Sequence, residues 1–541
     1  MALAAAASPS VAAAQETATP VASSSPSPSP SPPAPLSPAP APSAPSAPLT
    51  VDRTQAAILP GATLLVAVAG GSGTIGVRSS GPSVDASFDP SSHTLALAGR
   101  APGRAVVTVF DEAGGSASID VLVAPPAGVV PAAVTVELGG TVSPRFAAEK
   151  IRAAIAAAAQ LRPGARLEVS GSTPPAPLQP GGSFDAVARV HLDGASAYVD
   201  ADGATSVHVS VVSLAQIDPA FLFYSDDPEK LSADTDGVLY RGTLEPGTPA
   251  RLYFYHVADA STHGLYLALR ATGGDARLDL LGAAAGPTNA FAYVGHVSTL
   301  RYLLERAAGE SAIVSAAVDA PYLMRLGNAD ERPGELIAGA FDLAILDGGP
   351  VEVDVVSTDG LRDPADLLAQ PELPGDGHGR RGEFDLRAVP PIALALTAGT
   401  PDPQPVDVGE AILPNLRPGG RALGGDYGVL RDVSLTLSDP GPDPATVYLY
   451  EQPGGAGGST STIWFAGDPA PTELPCVIRP NRYAIKAFSL APGATQTVSA
   501  QYMTDGASTF PLDFGLTAVP PSPLPGPSSP DACNPRPEPS P

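Results

Sequence analysis

Three glycines form the first pattern that could hold a cofactor. Gly71, Gly73 and Gly76 follow the apolar segment 64–68 with the G-x-G-x-x-G spacing that lets a dinucleotide pyrophosphate approach the backbone. Such a site also needs a helix that begins at the glycines, because its N–H groups and dipole hold the phosphates. The residues that follow, VRSSGP at 77–82, cannot begin a helix. We therefore interpret the glycines as a turn between strands and predict no cofactor.

A short acidic segment supplies the candidate metal ligands. Carboxylates clustered on a loop suit calcium, which prefers hard oxygen ligands. The sequence Asp-Thr-Asp-Gly at 234–237 places glycine at the fourth position, whereas an EF-hand loop needs glycine at the sixth. Solvated acidic turns are the alternative, since the chain has a net charge of −25. The candidate calcium ligands are Asp226, Asp227, Asp234 and Asp236, with Glu229 nearby.

The histidines do not form a zinc motif. No pair has the i, i+4 spacing of a helical zinc site, and the sequence contains no H-E-x-x-H. His191 and His208 could meet across a hairpin, and His256 and His263 flank a second one, but neither pair has a third ligand. The seven histidines are His93, His191, His208, His256, His263, His296 and His378.

Nucleophile motifs are absent as well. The sequence has neither the G-x-S-x-G elbow nor a P-loop lysine. Cys476 stands in an apolar, strand-like context, where a thiol usually packs rather than reacts. The 55 acidic residues supply many accidental carboxylate pairs, so spacing alone does not indicate a glycosidase. The sequence therefore predicts a protein that is not an enzyme, with an unrecognised extracellular hydrolase in 216–516 as an alternative.

Tyrosines provide the candidate binding surface. A predicted hairpin joins residues 251–257 to 265–270, and it would place Tyr253, Tyr255 and Tyr266 on one side with Arg270 nearby. An exposed aromatic row can stack on sugar rings or anchor a protein partner. A cross-strand tyrosine ladder that stabilises the sheet is the structural alternative.

Composition sets the fold class. The 64 prolines and 56 glycines among 541 residues exclude a long-helix or coiled-coil protein and favour short strands joined by turns. With three lysines and a charge sum of 30 − 55 = −25, binding to nucleic acid or anionic lipid is disfavoured, and a monomer is expected near neutral pH. No apolar run approaches the roughly 20 residues of a membrane span.

The two ends of the chain are rich in proline and small residues. Residues 1–15 resemble the apolar core and Ala-x-Ala cleavage region of a secretory signal, without the preceding basic segment, as if truncated. Residues 21–48 alternate Ser-Pro and Ala-Pro, which predicts a polyproline-like spacer. Cys533 lies in the similar segment 517–541, so a bond to Cys476 would require that segment to fold back; two unpaired thiols are the alternative. We expect an extracytoplasmic location, either secreted or in the periplasm or cell surface.

Between these ends the sequence predicts a mainly β, multidomain protein of tandem β-sandwich modules with a small α+β unit and disordered tails. Ser143 and Pro144 begin a helix that ends near Gln160, and Ser298 caps a short helix that stops at Gly309. The predicted units are a signal-like remnant and spacer (1–48), a sandwich (49–124), an α+β unit or second sandwich (128–213), a sandwich-like domain with one helix (216–395), a last sandwich-like domain (396–516) and a disordered tail (517–541).

One of these units resembles a known family. The sequences PGAT at 60–63, SSGPSV at 79–84 and GRAPG at 99–103 before a Val-Thr-Val strand resemble the bacterial immunoglobulin-like domains (group 2-like) of surface proteins. The segments 251–256, 286–301 and 425–429 give 216–516 a weaker resemblance to β-modules of secreted proteins with stalk domains. These resemblances imply an immunoglobulin-like sandwich and an extracytoplasmic, non-catalytic role.

The function that the sequence predicts is presentation and contact. A secreted or cell-envelope β-protein would use the spacer to hold its modules away from an attachment point and would contact envelope components, glycans or other proteins. A carbohydrate- or calcium-dependent binding module is the alternative, and it depends on the tyrosine face and the acidic segment.

Overall fold

The computed structural model describes residues 47–521, except for 163, 361, 378–379, 410–412, 455–457 and 479–480. The predictions for residues 1–46 and 522–541 of the two proline-rich ends, for His378 and for a bond to Cys533 therefore lie outside the described residues. Thr517, which the sequence assigned to the C-terminal tail, is buried at the end of the last strand. No helix in the described part is long and apolar enough to cross a membrane.

Residues 50–123 form a two-sheet β-sandwich. Residues alternate between core and surface along each strand, as in Gly103–Phe110, where Ala105, Val107 and Val109 are buried. The sheets have the orders β1-β3-β6-β5 and β2-β8-β7-β4. The strands are β1 (Thr50–Val51), β2 (Gln55–Ile58), β3 (Thr63–Ala69), β4 (Gly76–Ser79), β5 (Val84–Asp89), β6 (Thr94–Gly99), β7 (Gly103–Phe110) and β8 (Ser116–Val123).

The central region contains fifteen strands and three helices. Three further residues, Leu386–Ala388, form a 3-10 turn after the last of these strands. In chain order the elements are β9 (Ala133–Gly139), α1 (Pro144–Ala158), β10 (Arg166–Ser170), β11 (Ser183–Asp193), β12 (Ala201–Val212), β13 (Phe221–Asp226), β14 (Lys230–Leu231), β15 (Gly237–Leu244), β16 (Ala250–Ala258), β17 (His263–Ala271), β18 (Ala276–Thr288), α2 (Phe291–Ala308), β19 (Ser311–Ala316), β20 (Tyr322–Glu331), β21 (Leu336–Asp347), β22 (Val351–Thr358), α3 (Pro364–Leu367) and β23 (Arg380–Asp385).

Most central strands belong to one eleven-stranded sheet. Its order is β10-β11-β12-β9-β19-β18-β21-β16-β13-β23, and β14 also pairs with β16. The sheet thus draws strands from both of the predicted units 128–213 and 216–395. The remaining strands form a four-stranded sheet, β15-β22-β17-β20, which packs on one face of the larger sheet through a shared apolar core. The positions of the domain borders stay a prediction.

Residues 392–517 form a second two-sheet sandwich with its own core. A five-stranded sheet, β24-β26-β31-β28-β29, faces a four-stranded sheet, β25-β32-β27-β30. The strands are β24 (Ile392–Thr397), β25 (Val406–Val408), β26 (Leu430–Ser438), β27 (Ala445–Pro453), β28 (Gly458–Phe465), β29 (Thr472–Ile478), β30 (Tyr483–Leu490), β31 (Thr495–Thr504) and β32 (Leu512–Thr517).

Helix α2 joins the central region to this second sandwich. One side of α2 packs on β18 and β21 of the eleven-stranded sheet, and the other side packs on β28 of the five-stranded sheet. An apolar cluster fills the space around it and includes Val294, Tyr302 and Leu303 of α2, Tyr253 of β16 and Met503 of β31. The central region and the second sandwich therefore form one stack of four sheets with α2 at its middle. The mainly β class with several separate sheets is confirmed.

The helices test the predicted capping signals. Helix α1 begins after Ser143, whose hydroxyl accepts a hydrogen bond from the Phe146 N–H, and it ends two residues before Gln160, so this prediction is confirmed. The prediction that Ser298 caps the second helix is wrong. Helix α2 begins at Phe291, and Ser298 lies inside it and donates to the Gly295 carbonyl. A serine inside a helix can form such a local bond, which sequence alone does not distinguish from a cap. The end of the helix at Gly309, with φ of 67°, is confirmed.

The predicted hairpin of 251–257 with 265–270 is wrong. Both segments are strands, β16 and β17, but they lie in different sheets. Strand β16 pairs with β13, β14 and β21, whereas β17 pairs with β20 and β22. The chain between them crosses from one sheet to the other, because both strands carry an apolar face that the shared core can bury.

Candidate ligand-binding groove

A groove opens between the C-terminal half of α2 and the outer face of the five-stranded sheet. Its volume is about 460 Å³. One wall is helical and contains Leu303, Arg306 and Ala307, with Gln216 beside it. The floor is the sheet, which contributes polar side chains from β26 and β31 and an indole from β28. The residues of the floor are Asp432, Val433, Ser434, Trp464, Ala466, Ser499, Ala500 and Gln501.

Strand alternation places the polar groups of the floor. On β26, Val433 and Leu435 are buried in the core of the second sandwich, so Asp432 and Ser434 point outward. Cross-strand register then aligns the outward residues. Asp432 lies opposite Gln501 of β31, and Gln501 lies opposite Trp464 of β28. A carboxylate, an amide and an indole therefore form one row across three strands.

Trp464 is the single tryptophan of the chain. Its indole is half-buried, and Nε1 donates a hydrogen bond of 3.1 Å to the Asp468 carbonyl. The hydrogen bond and the packing against the apolar cluster around α2 hold the ring in one position. The indole thus gives the groove a rigid aromatic surface.

The helical wall is fixed by a buried ionic network. The Asp342 carboxylate is fully buried, and it accepts hydrogen bonds from Arg251 Nε at 2.7 Å, Arg306 Nη1 at 3.0 Å and the Tyr302 hydroxyl at 2.8 Å. Burial alone would lower the pKa of Arg251, but the adjacent Asp342 carboxylate outweighs it and raises that pKa. Arg251 Nη1 also donates to the Gly428 carbonyl at 3.0 Å. The network ties α2, β16, β21 and the segment before β26 together.

A second ionic contact joins α2 to the five-stranded sheet, at the end of β31 and at β29. His296 donates from Nδ1 to Asp505 at 2.7 Å and from Nε2 to Glu473 at 2.8 Å. Burial would lower the pKa of His296, but the two carboxylates outweigh it and raise the pKa to about 9. The imidazole is therefore charged at neutral pH, and both of its nitrogens are occupied. This arrangement suits a structural contact rather than a proton-transfer group, which needs a free nitrogen.

The candidate calcium ligands lie beside two different sheets. Asp226 and Asp227 lie at the end of β13, and Asp236 directly precedes β15. Asp226 is 1% exposed and accepts a bond of 2.9 Å from Arg380, and burial raises its pKa well above the usual range. Asp227 and Asp236 accept from the backbone N–H groups of residues 376 and 359 at 2.7 and 2.6 Å. Asp234 is exposed. Among the described residues, no group of three or more His, Cys, Asp or Glu is placed to hold a metal ion, and the calcium site stays a prediction.

The candidate tyrosines are separated. Tyr253 and Tyr255 share one face of β16, as the alternation predicts, but that face is covered, and the two residues are 4% and 8% exposed. The Tyr253 ring lies 5.1 Å from that of Tyr224 and 6.3 Å from that of Tyr427. Tyr266 and Arg270 lie on β17 in the other sheet, where Arg270 pairs with Glu352. Their part in ligand binding stays a prediction.

The histidine pairs do not form. His191 and His208 do lie on the hairpin strands β11 and β12, but each faces an aspartate rather than the other histidine. His191 Nδ1 lies 2.8 Å from Asp202, and His208 Nδ1 lies 2.7 Å from Asp185. His256 is fully buried, and burial lowers its pKa to about 4.

The interpretation of the glycine motif as a turn is confirmed, because Gly71 and Gly73 have φ of 87° and 75° and strand β4 follows.

The sequence analysis missed the groove residues. Asp432, Ser434, Ser499, Gln501 and Trp464 come from three strands that are distant in sequence, and no spacing motif connects them. The available signal was weaker. It was the strict alternation of polar and apolar residues along 432–438, which marks one face of this strand as not buried by its own sandwich.

No protein-family description and no curated protein sequence matches the chain. Among solved structures, domains 4–9 of the surface layer protein SbsC are similar at 15% identity with a TM-score of 0.14, over 36% of this chain and 35% of that one. The human desmocollin-1 ectodomain is similar at 10% identity with a TM-score of 0.13, over 38% of this chain and 48% of that one. The Bacteroides ovatus protein SGBP-B, solved with a mixed-linkage heptasaccharide, is similar at 14% identity with a TM-score of 0.12. The match covers 55% of this chain and 70% of that one. The chain thus spans less than half of the first two structures. TM-scores this low do not assign a function to the chain.

Proposed function

We propose that this chain is a non-catalytic, extracytoplasmic β-protein that holds a binding surface away from an attachment point. The observation that carries the proposal is the groove on the outer face of the five-stranded sheet, fixed in shape by buried ion pairs on α2. The chain would present this surface to glycans, envelope components or other proteins. In this function the proline-rich segment 21–48 would act as a spacer, and the immunoglobulin-like sandwich at 50–123 would act as a module between the spacer and the stack.

The ionic groups of the stack support binding over catalysis. His296 is occupied at both nitrogens, and the Asp342 carboxylate is shared among three donors. Catalytic acids and bases must exchange protons with a substrate, and they need an accessible atom to do so. These two groups instead fix the position of α2. A shallow, rigid surface with a tryptophan and several hydrogen-bonding groups matches a recognition site.

Localisation in the native host tests the proposal. Intact cells are treated with a protease, and the chain is followed by antibodies against its two ends. We expect cleavage within residues 20–50 on whole cells, because a proline-rich segment outside the cell is accessible to the protease. A chain that stays protected in the cytoplasm with Met1 intact contradicts the proposal.

An activity screen tests the non-catalytic part separately. The full chain is assayed against a broad set of glycosidase and esterase substrates, with an Asp432→Asn variant as the control for chemistry in the groove. No turnover is expected for either protein. Turnover by the natural chain that disappears in the variant would instead favour a hydrolase.

A further inference from the structure

We infer that the groove between α2 and the five-stranded sheet binds a short, neutral oligosaccharide, with the Trp464 indole as its stacking surface. The inference rests on the proposed function, because it names the ligand class of the surface that the protein would present. The groove volume of about 460 Å³ lies within the roughly 300–1,000 Å³ of small-molecule sites.

The indole supplies the apolar contact. One face of a pyranose ring carries mainly C–H groups, and such a face packs on a flat aromatic ring while the hydroxyls remain at its edge. Because Nε1 of Trp464 is already bonded to the Asp468 carbonyl at 3.1 Å, the ring does not lose further rotamer freedom when a sugar binds. A rigid aromatic anchor on a sheet is therefore in place before the ligand arrives.

The neighbouring side chains supply the polar contacts. Asp432 offers acceptors, Gln501 offers an amide donor and acceptor, and Ser434 and Ser499 offer hydroxyls that do both. Ser434 lies opposite Ser499, and Asp432 lies opposite Gln501, so the four form two adjacent rows. Since neighbouring strands lie about 4.8 Å apart, these groups can contact several hydroxyls of one or two adjoining sugar rings.

Arg306 gives an independent indication of a ligand at the helical wall. Its side chain is only 7% exposed, and it donates to the Ile217 carbonyl at 2.7 Å and to Asp342 at 3.0 Å. Its Nε is buried and has no hydrogen-bond partner in the described part of the chain. A buried donor without a partner costs free energy. Because this Nε is fully buried, a ligand hydroxyl at this wall reaches it only when the Arg306 side chain shifts toward the groove, and that contact would remove the cost.

Charge selects a neutral ligand. The exposed Asp432 carboxylate and the net charge of −25 oppose an anion. The two guanidinium groups at the helical wall, Arg251 and Arg306, are matched by two carboxylates, because Asp342 contacts both and Asp218 lies 3.7 Å from Arg306. A purely apolar ligand would cover Asp432 and Gln501 without bonding to them, which is costly. A polyhydroxylated, uncharged molecule satisfies both conditions.

The single tryptophan makes the test direct, because all of the tryptophan emission comes from a residue that lines the groove. The full chain is titrated with neutral oligosaccharides of two to six glucose, N-acetylglucosamine, mannose or xylose units. We expect a saturable change of Trp464 emission with at least one of these series. Asp432→Ala and Gln501→Ala should each weaken that binding about tenfold, because each removes hydrogen bonds to the sugar. Thr497→Ala, an exposed change on the same strand outside the groove, is the matched control and should leave the affinity unaltered.

Calorimetry extends the test to the indole itself. Trp464→Ala should weaken binding of the best oligosaccharide by about tenfold or more, and Trp464→Phe should retain part of it, since a smaller ring still stacks. Circular dichroism of each variant shows whether its fold is retained. If Trp464→Ala does not fold, the Asp432→Ala and Gln501→Ala titrations still decide the question.

Three results would overturn the inference. The first is an unchanged emission with every series at millimolar concentration. The second is an equal loss of affinity in Thr497→Ala. The third is a difference in emission between the full chain and a chain ending at Pro521, with no effect of any sugar, which would assign the groove to the chain's own C-terminal proline-rich segment. A cytoplasmic chain that still binds sugar rejects only the proposed function, and an exported chain that binds none rejects only this inference.

Discussion

The two sandwiches of this chain have similar cores but different attachments. Each buries alternating Val, Leu, Ile and Ala residues between two antiparallel or mixed sheets, and the C-terminal core adds buried aromatic residues. In the described residues, one side-chain hydrogen bond, from Arg104 to the Ser196 carbonyl, joins the N-terminal sandwich to the stack. The C-terminal sandwich instead packs on α2 through an apolar cluster, the Arg251 bond to Gly428 and the two ion pairs of His296.

The difference shows that the inward residues of a strand determine whether a sandwich forms, whereas its outward residues determine whether that sandwich docks on a neighbour. Inward residues such as Val107 and Leu435 specify a sandwich in both cases. Outward residues decide whether that sandwich docks. On β7 the outward Val106 is 41% exposed, whereas Met503 of β31 is 1% exposed because it packs against α2 and its neighbours.

The largest expected effect tests whether the ionic network secures the docked sandwich. Asp342→Asn leaves the buried charges of Arg251 and Arg306 without their carboxylate, and it should lower the free energy of unfolding by about 3–5 kcal/mol. Urea unfolding measures it, followed by Trp464 emission for the stack and by circular dichroism for the N-terminal sandwich. Asp85→Asn, which removes the exposed partner of Arg100 in the N-terminal sandwich, is the control and should cost less than about 1 kcal/mol. Equal losses in the two variants would contradict the comparison.

The next test uses pH. The pKa of His296 is raised from 6.5 to about 9 in the folded chain, so its stabilisation is complete below pH 6.5 and is lost as pH rises through about 9. Up to about 3 kcal/mol of stability should disappear across this range. His296→Asn should remove that part of the pH dependence.

The control for the pH test is His191. It pairs with Asp202 on an exposed hairpin, where solvent screens the interaction. His191→Asn should therefore leave the pH dependence of unfolding between pH 6.5 and 9 nearly as in the natural chain. A His296→Asn variant with an unaltered profile would show that the ion pairs do not hold the sandwich.

A smaller effect tests how closely helix and sandwich approach. A Cβ added at Gly295 of α2 would lie 2.1 Å from the Gly506 carbonyl oxygen, so Gly295→Ala must push the two apart. We expect a loss of about 1–3 kcal/mol in the Trp464-monitored unfolding. At Gly81 in the N-terminal sandwich the nearest atom would be 3.6 Å away, and Gly81→Ala should have little effect on unfolding of that sandwich, which circular dichroism follows.

The smallest effect is expected from removing the N-terminal sandwich. A chain that begins at Ala124 keeps Pro125 and Pro126, whose carbonyls accept hydrogen bonds from Val199 and Arg162 of the stack. It should unfold, by Trp464 emission, within about 0.5 kcal/mol of the full chain, because the sandwich that is removed shares, among the described residues, one exposed side-chain hydrogen bond with the stack. A larger loss would mean that the N-terminal sandwich is held as firmly as the C-terminal one.

Much of the fold followed from local pattern. The Val-Thr-Val segment after GRAPG at 99–103 and the Ser143-Pro144 signal identified a strand and a helix correctly, because both depend on residues close in sequence. The strand partners of β16 could not be predicted from local pattern. Alternation indicates a strand with a buried face, but the choice between β17 and β21 as partner depends on which apolar surfaces meet in three dimensions.

The candidate site depended even less on local pattern. The tyrosines of β16 were the visible signal, yet they are covered by residues 427 and 503 from another part of the chain. Trp464 and Gln501 become neighbours only through the register of β28 with β31. Residues that carry no motif were therefore placed together by pairing that the sequence does not display.

The position of β9 in the eleven-stranded sheet has a consequence for how the chain emerges from the ribosome. The N-terminal sandwich has all of its strands within residues 50–123, so it can fold as soon as they are synthesised. Strand β9 lies between β12 and β19, and β19 begins only at Ser311. During synthesis of the intervening residues one edge of β9 has no partner strand, and such edges recruit other chains. The demand for chaperones should therefore fall on the centre of this protein rather than on its ends.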